Sequence, residues 1–238
     1  MSIPTLLIPG LNCSATLFRH QIPAMWRLGP VMVADHRGAD SIAGLADLIL
    51  AEAPDRFALA GLSMGGFIAF EILRRCPERV TRLALLSTSA RAEVPGGPGG
   101  KIRAERIRMA REGRFAELPP LHYANNVHPS RQTDDALRAT HRGMTEDVGP
   151  AGYINQQTAN MNRPDSRPTL QAIACPTLVL VGDEDRLAPR EHAEEMAAGI
   201  RGSRLVVVPV CGHLSTLEQP EAVTAALLEW RSLRAAAG

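Results

Sequence analysis

Aromatic residues are scarce in this chain: five Phe, two Tyr and two Trp among 238 residues. So few rings argue against a stacking platform for single-stranded nucleic acid. An excess of one charge is missing as well. Twenty-six Lys and Arg stand against 25 Asp and Glu, a formal net charge of +1, so no nucleic acid and no membrane surface is expected as a partner. The opening residues MSIPTLLIPGLNC hold no basic stretch and only a five-residue apolar run. That is too short for a signal peptide or a membrane span. Cysteine is sparse and scattered, at Cys13, Cys76, Cys175 and Cys211, with no C-x-x-C pattern and no His at metal-ligand spacing. Reduced thiols fit this pattern better than disulfides or a metal site. Together these absences predict a soluble cytoplasmic protein with no metal and no cofactor.

What is present is a core. Hydrophobic residues make up 45% of the chain and charged residues 21%, which excludes disorder and suits one domain of ordinary size. Short runs apolar on both faces predict strands at Thr5–Ile8, Val31–Ala34, Phe57–Ala60, Leu83–Leu86, Thr177–Val181 and Leu205–Val208. Helical patterns fall between them, near Ile42–Glu52, Met64–Arg75, Pro189–Gly199 and Pro220–Leu233. This alternation predicts an α/β fold, a mostly parallel sheet of about six strands with helices on both faces. The rhythm breaks between Leu86 and Thr177. That stretch opens with VPGGPGG, turns polar and helical near Lys101–Glu112, Thr133–Glu146 and Gly152–Asn162, and closes at NRPDSRP. It reads as a helical cap, residues 91–167, inserted into a core made of residues 1–90 and 168–238.

The candidate chemistry begins at Gly61-Leu62-Ser63-Met64-Gly65, a G-x-S-x-G that follows a strand and opens a helix. On such a turn the glycines remove Cβ atoms that would clash, and the serine Oγ projects as a nucleophile. A phosphate cradle would need G-x-G-x-x-G or G-x-x-x-x-G-K-[ST], and GLSMGGF matches neither. A serine hydroxyl needs a base within hydrogen-bond reach. Of seven histidines, His213 alone follows the last strand, with Gly212 freeing its turn, near the carboxyl edge where open α/β sheets gather their ligands. A carboxylate must then orient the base. The loop after Thr177–Val181 offers Asp183, Glu184 and Asp185, and spacing alone does not choose among them.

These stretches, GLSMGG at the elbow, DHRG at 35–38, GDEDRLAP at 182–189 and GHLSTLEQP at 212–220, resemble the α/β-hydrolase superfamily over essentially the whole core. The chain is similar to its small capped serine esterases and lactonases, typified by pimeloyl-ACP methyl ester esterase and 3-oxoadipate enol-lactonase. The resemblance implies an α/β-hydrolase fold that starts directly at the oxyanion strand. In the family pattern G-x-x-D-x-x-x-P the triad acid falls on Asp185, giving Ser63, Asp185 and His213. Resemblance also puts the oxyanion hole at the backbone N–H groups of Leu11 and Met64, the latter at a helix N-terminus. Pro9-Gly10 stands where most relatives carry His-Gly.

Asn12 and Cys13 are candidate substrate contacts beside that hole, as are Gln156 and Asn160 on the last cap helix. The basic run Lys101 to Arg114 reads as a solvated helix face, with attraction of a substrate carboxylate as its functional rival. Arg163 and Asp165 are expected to anchor the cap by an ion pair. The function expected is hydrolysis of an ester-type bond of a small molecule, whether ester, lactone or thioester, through an acyl-serine. The same constellation also serves carbon–carbon bond hydrolysis, elimination and perhydrolysis, and a ligand receptor with a slow triad is a rival from another class.

Overall fold

The computed structural model describes residues 2–94 and 96–232. Among them six strands form one sheet: β1 (Thr5–Ile8), β2 (Val31–Val33), β3 (Phe57–Leu62), β4 (Val80–Leu86), β5 (Thr177–Gly182) and β6 (Arg204–Val208). Their order is β2-β1-β3-β4-β5-β6, and every pairing is parallel. Parallel neighbours require crossovers. These are α1 (Ile22–Trp26), α2 (Ile42–Glu52) and α3 (Met64–Arg75), then α4 (Pro98–Arg111), α5 (Leu118–Asn126) and α6 (Asp135–Met161), then α7 (Arg190–Gly199), with α8 (Ser215–Glu218) and α9 (Pro220–Ser232) closing the chain. The chain steps from β1 outward to β2 and back across to β3. That reversal leaves a crevice at the carboxyl ends of β1 and β3.

Side-chain alternation divides the core into two layers. Leu6, Ile8, Leu59, Leu85 and Val179 face Leu45 and Ile49 of α2, Ile68 and Ile72 of α3, and Met196 of α7. Their neighbours Leu7, Ala60, Leu62, Leu86 and Leu180 face Met25 of α1 and Val223, Leu227 and Trp230 of α9. A strand buried on both faces is therefore apolar throughout, which is why the period-two pattern is hidden in the sequence. Removing one such side chain, as in Leu59→Ala, carries a typical cost of about 2–5 kcal/mol. Helix starts are marked by caps: Ser41 Oγ accepts from the Gly44 N–H of α2, and the Asp134 carboxylate accepts from the Leu137 N–H of α6.

The expected α/β-hydrolase architecture, six parallel strands between two helical layers, is the one observed. Boundaries differ by a few residues: β3 runs on to Leu62, and β4 begins at Val80. The last helix is described to Ser232, so predicted Leu233 lies outside the described residues. Helices α1, α5 and α8 were not expected from the sequence. The first and last are only five and four residues long, too short for a periodic signal, and α5 opens on Leu118-Pro119-Pro120. The two helices predicted at Thr133–Glu146 and Gly152–Asn162 run on as α6, interrupted at Gly149, whose φ of 70° and ψ of 167° are non-helical. The segment between β4 and β5 carries α4 to α6 around a small core of Met109, Leu118, Val148 and Tyr153. No helix among the described residues is long and apolar enough to cross a membrane.

Candidate active site

Ser63 sits between the last residue of β3 and the first of α3, with φ 53° and ψ −113°. A non-glycine residue in that conformation costs on the order of 1–3 kcal/mol and persists only where its surroundings impose it. They do so here. The Ser63 N–H donates to the Leu86 carbonyl at 2.9 Å, and the Thr88 hydroxyl donates to the Ser63 carbonyl at 2.7 Å. A Cβ on Gly61 would run into the backbone of Gly65, and one on Gly65 into the carbonyls of Ile8 and Pro9. The glycines of the elbow thus let β1, β3 and α3 approach closely enough to hold the turn.

His213 and Asp185 meet across the carboxyl edge of β5 and β6. His213 Nδ1 lies 2.9 and 2.8 Å from the two Asp185 oxygens, and both residues are buried. Asp185 Oδ1 also accepts from the backbone N–H groups of Leu187 and Ala188, each at 2.9 Å. A carboxylate held this way accepts a hydrogen bond from the Nδ1–H of the imidazole and leaves Nε2 with its lone pair free. The other acids of that loop point elsewhere. Asp183 accepts from the Val210 and Cys211 N–H groups, which hold its carboxyl below the usual range despite some burial.

Glu218 escaped the sequence reading. It is buried, and its carboxylate accepts from the N–H groups of Gly212 and Leu214, on either side of His213, and from that of His128. Burial pushes its pKa up while those donors pull it down. The His213 and Leu214 N–H groups both donate to the Asn126 carbonyl, so the histidine loop is tied to the end of α5. The only trace of this in the sequence is the acid in GHLSTLEQP.

Ser63 and His213 line one cavity of about 440 Å³, together with Gly10, Leu11, Ser87 and Leu214. Met64 is fully buried in the core, so it can serve the cavity only through its N–H, which as the first residue of α3 has no acceptor within the helix. Cys13 and Asn160 reach the wall. Burial pushes the Cys13 thiol up to about 12, so it is a neutral wall group.

Two candidate contacts are corrected. Asn12 is turned away from the cavity: its side-chain amide donates to Thr145 Oγ1 at 2.7 Å, and its N–H donates to Gln156 Oε1 at 2.8 Å. Gln156 is fully buried, with Nε2 3.1 Å from the His36 ring. Both join the loop after β1 to α6. Asp165 is corrected too, because it pairs locally with Arg167 on the surface. Arg163 instead pairs with Glu93 at 2.9 Å and stacks its guanidinium 4.7 Å over the Phe67 ring of α3. In the basic run, Arg108 and Arg114 pair with Glu105, Glu112 and Glu117 in solvent, whereas Arg103 and Arg106 line the cavity. No cluster of His, Cys, Asp and Glu able to hold a metal ion occurs among the described residues.

A strained serine at a strand-to-helix turn, with a carboxylate-bound histidine on the same cavity wall, places this chain among hydrolytic α/β enzymes. The model of the alpha/beta hydrolase family matches residues 6–226, and the chain belongs to that family. Among relatives, the pimeloyl-(acyl-carrier protein) methyl ester esterase of Edwardsiella ictaluri is 27% identical over 94% of this chain and 92% of its own length. Among solved structures, a thermophilic esterase from Thermogutta terrifontis in its malate-bound form superposes with a TM-score of 0.87. It is 29% identical, over 97% of this chain and 89% of its own. The enol-lactonase of Burkholderia xenovorans LB400 shares the fold with a TM-score of 0.87 at 23% identity, over 98% of this chain and 92% of its own.

Proposed function

We propose that this protein hydrolyses an ester-type bond of a small molecule through an acyl-serine intermediate, with Ser63, His213 and Asp185 as its triad. The observation that carries this reading is the Asp185–His213 pair at 2.8 Å, opening onto the cavity that Ser63 lines. Esterases among its relatives support it. In this reading His213 Nε2 takes the Ser63 proton as Oγ attacks the carbonyl carbon. The Leu11 and Met64 N–H groups receive the oxyanion, which forms at a helix N-terminus where partial positive charge favours it. The imidazolium, stabilised by ionised Asp185, returns its proton to the leaving oxygen. Water then attacks the acyl-serine by the same route and releases the acid.

The helical segment of residues 91–167 acts as a cap. It supplies Arg103, Arg106, His122 and Asn160 to the cavity wall, while β-strand ends and loops supply Ser63 and His213. The core fixes the reaction, and the cap shapes what is admitted.

Turnover of p-nitrophenyl acetate and labelling by a fluorophosphonate serine probe test the reading together. Wild type should show both, and Ser63→Ala neither. A wild type that shows neither, or a Ser63→Ala protein that keeps both, would sink the acyl-serine assignment. A His213→Ala variant at full rate would sink the base.

A further inference from the structure

Four arginines line the cavity, and three of them are matched by carboxylates. Arg91 pairs with Glu195 at 2.9 Å, and Arg103 and Arg163 share Glu93 at 3.1 and 2.9 Å. Arg106 is different. Its guanidinium has no ion pair among the described residues, and its contacts are two long ones, 3.4 Å to the Leu121 carbonyl and 3.4 Å to His122 Nδ1. Both exceed the usual N–H···O range, so most of its donor fork is unspent.

The surroundings make this costly for the empty protein. Arg106 is half-buried, and burial together with neighbouring Arg103 disfavours its charge. His122 cannot relieve it. That ring is buried, its Nε2 lies 2.7 Å from the Tyr153 hydroxyl, and burial beside Arg106 pushes its pKa well below the ordinary value, so it stays neutral. The Tyr153 hydroxyl is in turn held by Gln157, and Gln157 Oε1 accepts from Arg103. The polar chain around Arg106 is therefore fixed by its own contacts and offers no anion. A partly desolvated guanidinium facing open cavity is completed by a planar anion that its fork can take in two parallel hydrogen bonds.

We propose that Arg106 is the seat for a free carboxylate on the substrate, so that the cavity selects esters carrying a second, unesterified acid group. This rests on the ester-hydrolase reading above and adds to it the chemical class of the substrate. The cavity wall also carries apolar side chains, among them Leu11, Leu62 and Phe67. A short hydrocarbon spacer between the ester and the carboxylate would lie against these apolar groups.

The test compares charged esters with uncharged partners of equal length. Monomethyl esters of succinic through pimelic acid are set against methyl alkanoates, and acetate esters of ω-hydroxy acids against alkyl acetates, so that the anion is tried in the acyl and the alcohol part. Wild type should prefer at least one charged series by about tenfold or more in kcat/KM at low salt, and the preference should shrink as salt rises. Arg106→Gln should cut that ratio by about tenfold, and Arg106→Lys should restore part of it. Arg111→Gln, on the exposed side of the same helix, should leave the ratio unchanged. A wild type without preference in either series overturns the seat, as does a preference that survives Arg106→Gln. A merely structural role for Arg106 would lower charged and uncharged turnover alike and also overturns it.

A second readout separates this inference from the reading beneath it. In the Ser63→Ala protein, glutarate should raise the unfolding temperature and lose that effect when Arg106→Gln is added. If it does so while wild type hydrolyses no ester, the seat stands and the ester-hydrolase reading falls. If uncharged esters are hydrolysed and glutarate has no effect, the reverse holds.

Discussion

Asp183 and Asp185 stand two residues apart on one loop, yet their carboxylates do different work. Asp185 turns inward to His213, and Asp183 turns outward to the Val210 and Cys211 N–H groups. In Asp185→Asn the amide would donate to Nδ1 and force the proton onto Nε2, removing the lone pair that the proposed mechanism needs. Steady-state kinetics should then show kcat lower by roughly 10³–10⁴-fold, in a protein whose fold is retained. In Asp183→Asn two charge-assisted hydrogen bonds become weaker ones on an exposed turn. A urea titration should show a loss of about 1 kcal/mol, with kcat reduced by less than about tenfold. Equal kinetic defects in the two variants would overturn the assignment of roles. The pair also shows where the sequence stops being legible. G-x-S-x-G and Gly212-His213 can be read from the chain because each needs only its local strand and turn. The choice among Asp183, Glu184 and Asp185 depends on which carboxylate the turn after β5 aims at the loop after β6, and that is a contact between distant segments.

Among the elements, α6 holds the largest departure from its sequence pattern. The stretches 133–146 and 152–162 carry periodic apolar positions, but Gly149-Pro150 reads locally as the end of one helix and the start of another. The structure keeps both halves in one path, with Val148 and Tyr153 in the same small core on either side of the break. Pro150 removes a backbone donor, and Gly149 adopts φ 70° and ψ 167°, a region essentially reserved for glycine. A Cβ at Gly149 would meet no atom within 4 Å, so the cost of Gly149→Ala is conformational alone. Thermal or urea unfolding should register a loss of about 1–3 kcal/mol. A neutral Gly149→Ala would mean that the break relaxes without strain. The same helix explains the misjudged contact at Gln156. Gln156 and Asn160 lie four residues apart, on adjacent turns, and no pattern in the sequence says that one faces the loop after β1 while the other faces the cavity.

At the scale of the whole molecule, buried histidines set the response to acid. His36, His122 and His141 are all buried, and burial lowers the pKa of each, that of His141 to about 4. The unfolded chain binds a proton at each near pH 6.5, so between pH 6.5 and 4 it holds more protons than the native state. Stability must therefore fall as pH drops through that window. The carboxyls of Glu71, Glu93 and Asp183, held low in the native state, extend the loss in the same direction below about pH 4.5, while Glu218, pushed up by burial, opposes it. His141 occupies the most consequential position. Its Nδ1 has no partner among the described residues, and its Nε2 lies 3.3 Å from the Asn126 side-chain nitrogen. The Asn126 carbonyl holds the His213 and Leu214 N–H groups, so a charge forced onto His141 bears on the segment that ties α5 to the histidine loop. For a shift from 6.5 to about 4, His141 alone should remove about 2 kcal/mol of stability between pH 7 and pH 5. His141→Gln cannot take up the proton. Unfolding free energies from urea titrations at both pH values should therefore converge in that variant by about that amount, while a pH dependence identical to wild type would show that His141 is not protonated on unfolding in this range.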